Sequence, residues 1–131
     1  MSAVTRVLVV DDDAGIRETI RYALEDAGYT VSEAVDGLAA LRQLRAGRER
    51  MVVLLDLMMP GLDGAGLLGA VAADAYLSSQ YVFLLITANT KTLTLAFATL
   101  LQNLSVPVLT KPFDIDTLLD AVATAARRLA R

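Results

Sequence analysis

The chain has 131 residues, 55% of them hydrophobic, which suits one domain with its own core and excludes a disordered chain. It contains neither cysteine nor histidine, which excludes disulfides, Ser-His or Cys-His catalysis and thiolate or imidazole metal sites, so a metal ion would need oxygen ligands, as magnesium does. The net charge of −3 argues against direct contact with nucleic acid, and no apolar run or signal pattern predicts a membrane segment or secretion, so we expect a cytoplasmic protein.

Strand and helix patterns alternate five times along the chain. Continuous apolar runs predict buried strands at 51–55 and 81–86, and three further segments that alternate with the helices are predicted as strands at 4–10, 30–34 and 106–109. Apolar residues at helical spacing predict helices at 14–27, from 37 to about 47, after Gly64, at 91–103 and from 115 to 129. This alternation predicts a parallel sheet with helices on both faces, in a single domain over residues 1–131.

Polar side chains follow the carboxyl ends of four predicted strands. They are Asp11, Asp12, Asp13, Asp56, Thr87 and Lys111. Because the carboxyl ends of parallel strands lie along one edge of a sheet, and ligands bind there in open α/β sheets, we expect these groups to converge. One of the first three acids, Asp13, is also well placed to cap the following helix.

This set of groups fits the transfer of a phosphoryl group to a carboxylate. Asp56 would be the nucleophile and form an acyl phosphate, while a cation held by carboxylates would neutralise charge on the phosphoryl oxygens. Lys111 and Thr87 would hold the remaining oxygens, the first by its charge and the second by a hydrogen bond. Taken singly, Asp56 is better explained as a helix cap, Lys111 as a surface lysine and Thr87 as a turn residue, so the hypothesis depends on their joint placement.

Four motifs carry a resemblance to a known family. They are VLVVDDD at 7–13, LDLMMPGLDG at 55–64, TA at 87–88 and TKPF at 110–113. In this order they are similar to the receiver domain of response regulators in two-component signalling, including the chemotaxis regulators, and the resemblance runs the whole length of the chain. It implies a flavodoxin-like, doubly wound sheet of five parallel strands in the order 2-1-3-4-5, with five helices.

The resemblance also implies a role for each residue of the predicted site. Asp56 resembles the phosphoacceptor, and it would share a magnesium ion with Asp11, Asp12 and the backbone carbonyl of Met58, Asp12 being a more direct ligand than Asp11. The donor would be the phosphohistidine of a sensor histidine kinase or a phosphotransfer protein. The chain would catalyse its own phosphorylation and slow dephosphorylation, and it would not act as an enzyme on other substrates.

Two further residues complete the implied site, and two features depart from the family pattern. Thr87 resembles the switch hydroxyl, and Lys111, which would precede a cis peptide bond to Pro112, resembles the lysine that contacts the phosphoryl group. Val108 stands where the family usually has an aromatic ring that swings inward, which puts that coupling in question. The segment 104–107 lacks the glycine that usually ends the fourth helix.

The fourth helix carries more large apolar residues than one buried face needs. It is therefore either a deep core helix or, with the fifth strand and fifth helix, a docking face for a second copy or an effector. Two other functions are alternatives for this sequence. A phosphorylation-independent interaction module is favoured by Val108 and opposed by the complete acidic site, and an aspartyl phosphohydrolase would need its nucleophile on the first strand and a cap domain for which the chain lacks length.

Overall fold

The computed structural model describes residues 4–88, 91 and 93–130, so both ends of the predicted domain, 1–3 and 131, lie outside it. The described residues form five strands and six helices. In chain order these are β1 Arg6–Val10, α1 Ala14–Asp26, β2 Thr30–Ala34, α2 Gly37–Ala46, β3 Met51–Asp56, α3 Gly64–Ala72, α4 Ala75–Gln80, β4 Tyr81–Thr87, α5 Leu95–Asn103, β5 Val108–Thr110 and α6 Ile115–Leu129. Across these ranges, no helix combines the length and apolar character that crossing a membrane requires.

The strands form one parallel sheet in the order β2-β1-β3-β4-β5. This confirms the doubly wound fold and the strand order that the sequence led us to expect. Every residue of β3 and of β4 is buried, because both strands are central and helices cover both faces of the sheet. Their carboxyl ends therefore lie in the middle of one sheet edge.

Helices cover the two faces of the sheet in two groups. On one face α1 and α6 pack through Ile20, Leu24, Leu118 and Val122 against alternate residues of the strands. On the other face α2, α3, α4 and α5 bury their apolar sides against the remaining strand residues. Each buried valine, leucine or isoleucine contributes about 1.5–3 kcal/mol, so these two clusters hold the strand ends in fixed relative positions.

The short helix α4 was not among the five predicted helices, while the other five are all present and have at least nine residues each. It has only six residues, too few for a hydrophobic period to show in the sequence. Asp74 caps it by accepting hydrogen bonds from the N–H groups of Tyr76 and Leu77. The Tyr76 hydroxyl also donates to the carbonyl of Gly47 across 2.8 Å, which ties α4 to the turn before β3.

Some element boundaries differ from the predicted ones. The first strand begins at Arg6 instead of residue 4, and the fifth begins at Val108, after Pro107, instead of residue 106. The predicted fourth helix is α5, and it begins at Leu95 instead of residue 91 because Thr94 caps it. Thr92, in the predicted first turn of that helix, lies outside the described residues.

Helix α5 ends without a glycine because a serine adopts the required backbone conformation. Ser105 has a φ angle of 56°, in the left-handed region that glycine usually occupies. The Ser105 N–H donates to the carbonyl of Gln102 across 3.1 Å, and the Val106 N–H donates to the carbonyl of Leu101 across 2.8 Å. These two hydrogen bonds are the pair that closes a helix end when the next residue is left-handed.

We predict that Ser105→Gly raises the free energy of unfolding by about 0.5–1 kcal/mol. A non-glycine residue loses about 1–2 kcal/mol in the left-handed region, and the extra chain entropy of glycine offsets part of that gain. Urea denaturation measures the change. Ser78→Gly, in the exposed middle of α4, is the matched control and should lower stability, whereas a loss of stability in Ser105→Gly would contradict this explanation of the helix end.

Candidate functional site

The end of β1 supplies two carboxylates to the sheet edge and uses a third as a helix cap. Asp11 directly follows the strand and is only 3% exposed, while Asp12 is exposed. Asp13 caps α1 by accepting a hydrogen bond from the Ile16 N–H across 3.1 Å, as predicted. The Asp13 N–H in turn donates to Oδ1 of Asp11 across 2.9 Å. The helix cap thereby also holds the buried carboxylate in place.

The next two strands of the sheet after β1, which are β3 and β4, end in Asp56 and Thr87. Asp56 is the last residue of β3 and is 8% exposed, and Thr87 is the last residue of β4 and is 1% exposed. In the register of the sheet, Asp56 pairs with the residue immediately before Thr87. A weak hydrogen bond of 3.4 Å runs from the Met58 N–H to Oδ1 of Asp56, and the side chain of Met58 points into solvent.

Gly64 allows the first residue of α3 to pack closely against the backbone at the end of β3. A Cβ atom at this position would lie 2.8 Å from the carbonyl oxygen of Asp56 and 2.9 Å from the Cα of Leu57. Neither contact is sterically allowed, so any other residue would displace the backbone beside the candidate nucleophile. The Gly64 N–H also donates to the carbonyl of Leu57 across 3.0 Å, which closes this turn.

The predicted acids and the predicted lysine meet at this edge. One carboxylate oxygen from each of Asp11, Asp12 and Asp56 lies within 4.8 Å of the other two. The Nζ atom of Lys111 lies 3.7 Å from Oδ2 of Asp11 and 3.8 Å from Oδ1 of Asp56. The Lys111 N–H donates to the carbonyl of Thr87 across 2.8 Å, so β4 and the segment after β5 are joined beside the cluster. The peptide bond from Lys111 to Pro112 is cis.

Burial and mutual repulsion both act on the two buried carboxylates. Burial is the main reason that the pKa of Asp11 is raised, and Lys111 and the Asp13 N–H oppose that rise. The pKa of Asp56 is raised by burial first and then by the charge of Asp11, against the opposing effect of Lys111. Both carboxylates are therefore less stable in their ionised form here than in water.

The charge balance shows what this cluster can bind. With all groups ionised, three carboxylates and one ammonium leave a net charge of −2. Two like charges about 5 Å apart repel by about 3 kcal/mol at an effective dielectric near 20. A divalent cation would cancel the excess charge, and clustered carboxylate oxygens are the ligands that magnesium and calcium prefer. The residues present therefore fit a hard divalent ion.

One residue beside the cluster was not singled out from the sequence. Arg17, on α1, donates from Nη1 to the backbone carbonyl of Asp11 across 2.7 Å, and from Nε to Glu33 Oε1 across 3.1 Å. The position of Arg17 one turn into the helix was visible in the sequence. Its ion-pair partner on β2 is 16 residues away, and only the fold brings the two together.

Comparison with known proteins identifies the fold and the family. The family model described as "Response regulator receiver domain" matches residues 7–123. The transcriptional regulatory protein CseB of Streptomyces coelicolor is 34% identical over 128 residues, which cover 98% of this chain and 52% of CseB. The chain thus spans about half the length of this curated relative.

Two solved structures are similar over nearly the whole chain. A CheY-like receiver domain protein from Methanospirillum hungatei has a TM-score of 0.84 and 29% identity, covering 96% of this chain and 97% of its own. The response regulator TrrA from Thermotoga maritima, solved in complex with Mg(2+)-BeF, has a TM-score of 0.79 and 27% identity, covering 93% and 99%. Together with the matched family model, these similarities show that the chain belongs to the response regulator receiver domain family.

Proposed function

We propose that this chain is the phosphoacceptor of a two-component system, and that Asp56 receives a phosphoryl group from a histidine kinase or a phosphotransfer protein. The observation that carries the proposal is the meeting of Asp11, Asp12, Asp56 and Lys111 at the carboxyl edge of the sheet. The magnesium-containing complex of TrrA supports a magnesium ion at this place. Nothing in the proposed chemistry requires cysteine or histidine, which the chain lacks.

The covalent step is an in-line displacement at phosphorus. An oxygen of the Asp56 carboxylate would attack the phosphorus of a phosphohistidine, forming a carbon–oxygen–phosphorus linkage as the donor's nitrogen–phosphorus bond breaks. The leaving imidazole nitrogen keeps the electron pair of the broken bond and needs no proton from this chain. Asp56 requires no general base, because the attacking group is a carboxylate oxygen, which has no proton to be removed.

The surrounding residues would hold the cation and the transferred group. Asp11, Asp12, Asp56 and the carbonyl of Met58 would bind magnesium, which neutralises charge on the phosphoryl oxygens when it is bound. Lys111 already lies near both buried carboxylates and would move its ammonium group onto a phosphoryl oxygen. Attack of water on the phosphorus would later break its bond to the Asp56 oxygen, restoring the free carboxylate and releasing inorganic phosphate. In this proposal the chain acts on its own modification alone.

After modification of Asp56, the Thr87 hydroxyl would donate a hydrogen bond to a phosphoryl oxygen. This contact would couple the site to the rest of the molecule. Thr87 ends β4, and the chain continues from it into the segment before α5. Val108 pairs with Leu85 in the sheet and is partly exposed. Because valine is β-branched and carries no ring, the response at this position would differ from the swing of an aromatic side chain.

The first test is phosphorylation by a small donor. Incubation with acetyl phosphate and Mg²⁺ should add the mass of one phosphoryl group, detected by intact-protein mass spectrometry. Asp56→Asn should lose the modification, and Asp120→Asn, an exposed carboxylate on α6, should retain it. An unmodified wild-type protein would contradict the proposal and favour the alternative, a receiver-like module that binds its partner regardless of phosphorylation.

The second test uses the stability of the metal-free protein. Because the pKa values of Asp11 and Asp56 are raised in the folded state, their ionisation opposes folding above those pKa values, and the penalty declines as the pH falls towards 3.8. Asp56→Asn should therefore raise the melting temperature at pH 7, by about 3 °C for each kcal/mol gained, and raise it less at pH 4. Added Mg²⁺ should raise the wild-type value.

Calorimetric melts at the two pH values measure this difference. Asp120→Asn again controls for the loss of one negative charge and should leave the melting temperature within about 1 °C, since surface substitutions change stability little. A lower melting temperature in Asp56→Asn at pH 7 would mean that the carboxylate is a structural partner in its ionised form. The proposed excess of negative charge would then be wrong.

We also propose that the signal leaves through the face formed by α5, β5 and α6. Leu95, at the start of α5, is 85% exposed, and Val108 is partly exposed on β5. Exposed large apolar side chains of this kind suit contact with a second copy or an effector. Leu95→Asp should abolish any phosphorylation-dependent shift in size-exclusion chromatography while leaving Asp56 modification intact; a shift that persists would exclude Leu95 from the contact.

A further inference from the structure

We infer that Arg17 is a positioning residue for the cation site: it fixes the peptide group between Asp11 and Asp12 and thereby aims both carboxylates. This inference rests on the proposed function, because it assumes that the acidic cluster binds a divalent ion. It assigns a role to a residue that neither touches the ion nor reacts.

The two acids of the β1–α1 connection are held in different ways. The carboxylate of Asp11 accepts from the Asp13 N–H and lies near Lys111. The carboxylate of Asp12 is exposed, and within 4–88, 91 and 93–130 no hydrogen bond or ion pair to it is found. The direction of the Asp12 side chain therefore depends on the backbone that carries it.

Arg17 is the group that holds this backbone. Its guanidinium donates to the Asp11 carbonyl at 2.7 Å, a short distance typical of a charge-assisted hydrogen bond. The same guanidinium donates to Glu33 on β2, and the Arg17 side chain is only 13% exposed. The Asp11 carbonyl belongs to the peptide group whose nitrogen is that of Asp12, so holding the carbonyl also holds the start of Asp12.

Glu33 is itself fixed from a second direction. Arg21, one turn further along α1, donates from Nη1 to Glu33 Oε2 across 2.6 Å. The two arginines thus share one carboxylate, each binding a different oxygen. Arg17 donates a hydrogen bond to the Asp11 carbonyl. Arg21 instead contacts Glu33, Glu25 and the Tyr22 ring.

Charge and position predict opposite effects of losing Arg17. Removing a positive charge near a cation site should strengthen cation binding, because the repulsion between them is lost. Releasing the peptide group should weaken binding, because metal ligands must be held within about 0.5 Å of their productive geometry. Loss of a residue that orients metal ligands typically weakens metal affinity by about 10–100-fold. The direction of the change therefore separates the two effects.

The experiment measures the Mg²⁺ dissociation constant of the full chain by isothermal titration calorimetry. Arg17→Met should weaken binding by about tenfold. Arg21→Met also removes one positive charge and one of the two arginine partners of Glu33, but it keeps the hydrogen bond to Asp11, and it should change the constant by less than about twofold. The rate of Asp56 phosphorylation by acetyl phosphate should reach half its maximum at a higher Mg²⁺ concentration in Arg17→Met than in wild type.

Arg17→Lys is a second variant for use if Arg17→Met does not fold. Its ammonium is a single nitrogen on a flexible stem and lacks the rigid fork with which the Arg17 guanidinium spans the Asp11 carbonyl and Glu33, so it should weaken Mg²⁺ binding severalfold. An unchanged or tighter constant in the Arg17 variant that folds, or an equal loss in Arg21→Met, would overturn the inference. Wild-type protein that binds no Mg²⁺ would instead overturn the proposed function, so the two failures are distinguishable.

Discussion

Repulsion among three carboxylates at one sheet edge is the constraint on which the site depends. Asp11, Asp12 and Asp56 place oxygens within 4.8 Å of one another, and Lys111 offsets only one of the three charges. Each ionised pair costs about 3 kcal/mol at an effective dielectric near 20, a large amount beside the 5–15 kcal/mol of a typical folded domain. A divalent cation relieves this cost, and so would any group that joins the cluster with positive charge.

The hydrophobic core offsets the repulsion among these carboxylates, and contacts at the sheet edge hold their backbone in place. The apolar residues of β3 and β4 are buried on both faces of the sheet, and burying only a few of them offsets the repulsion of one carboxylate pair. The backbone at the edge is fixed by Gly64 beneath Asp56, by the Asp13 cap and by Arg17 on the Asp11 carbonyl. Stability comes from the core, and the unfavourable charges are concentrated where a ligand can compensate them.

The proposed modification of Asp56 would act on a distant surface through the neighbouring strands. Thr87 ends β4 and Lys111 directly follows β5, both beside Asp56, and a backbone hydrogen bond of 2.8 Å joins the two residues. A phosphoryl group that attracts both would act on the segment before α5 and on the end of β5. Those segments border the exposed Leu95 and Val108. The site and the proposed output face are thus connected through two strand ends, without an aromatic residue at position 108.

The fold and the convergence of the acidic residues could be predicted from the sequence because both depend on short-range patterns. Apolar runs that end in Asp11 or Asp56 predict central parallel strands and polar groups at one edge. Features that depend on a single turn or on distant pairs could not be predicted. Helix α4 is too short to show a period, and the left-handed Ser105 replaces an expected glycine. Arg17 meets Glu33 only through the packing of α1 on β2.

The central claim is that these carboxylates bind one divalent ion beside the acceptor oxygen. Crystals grown with Mn²⁺ in place of Mg²⁺ test it directly, because the anomalous scattering of Mn²⁺ distinguishes the bound ion from a water molecule. We predict a single peak with ligand distances close to the value of about 2.0–2.1 Å that is typical of Mg²⁺, to oxygens of Asp12 and Asp56 and to the Met58 carbonyl. A peak elsewhere, or a cluster that remains empty at millimolar Mn²⁺, would contradict this account.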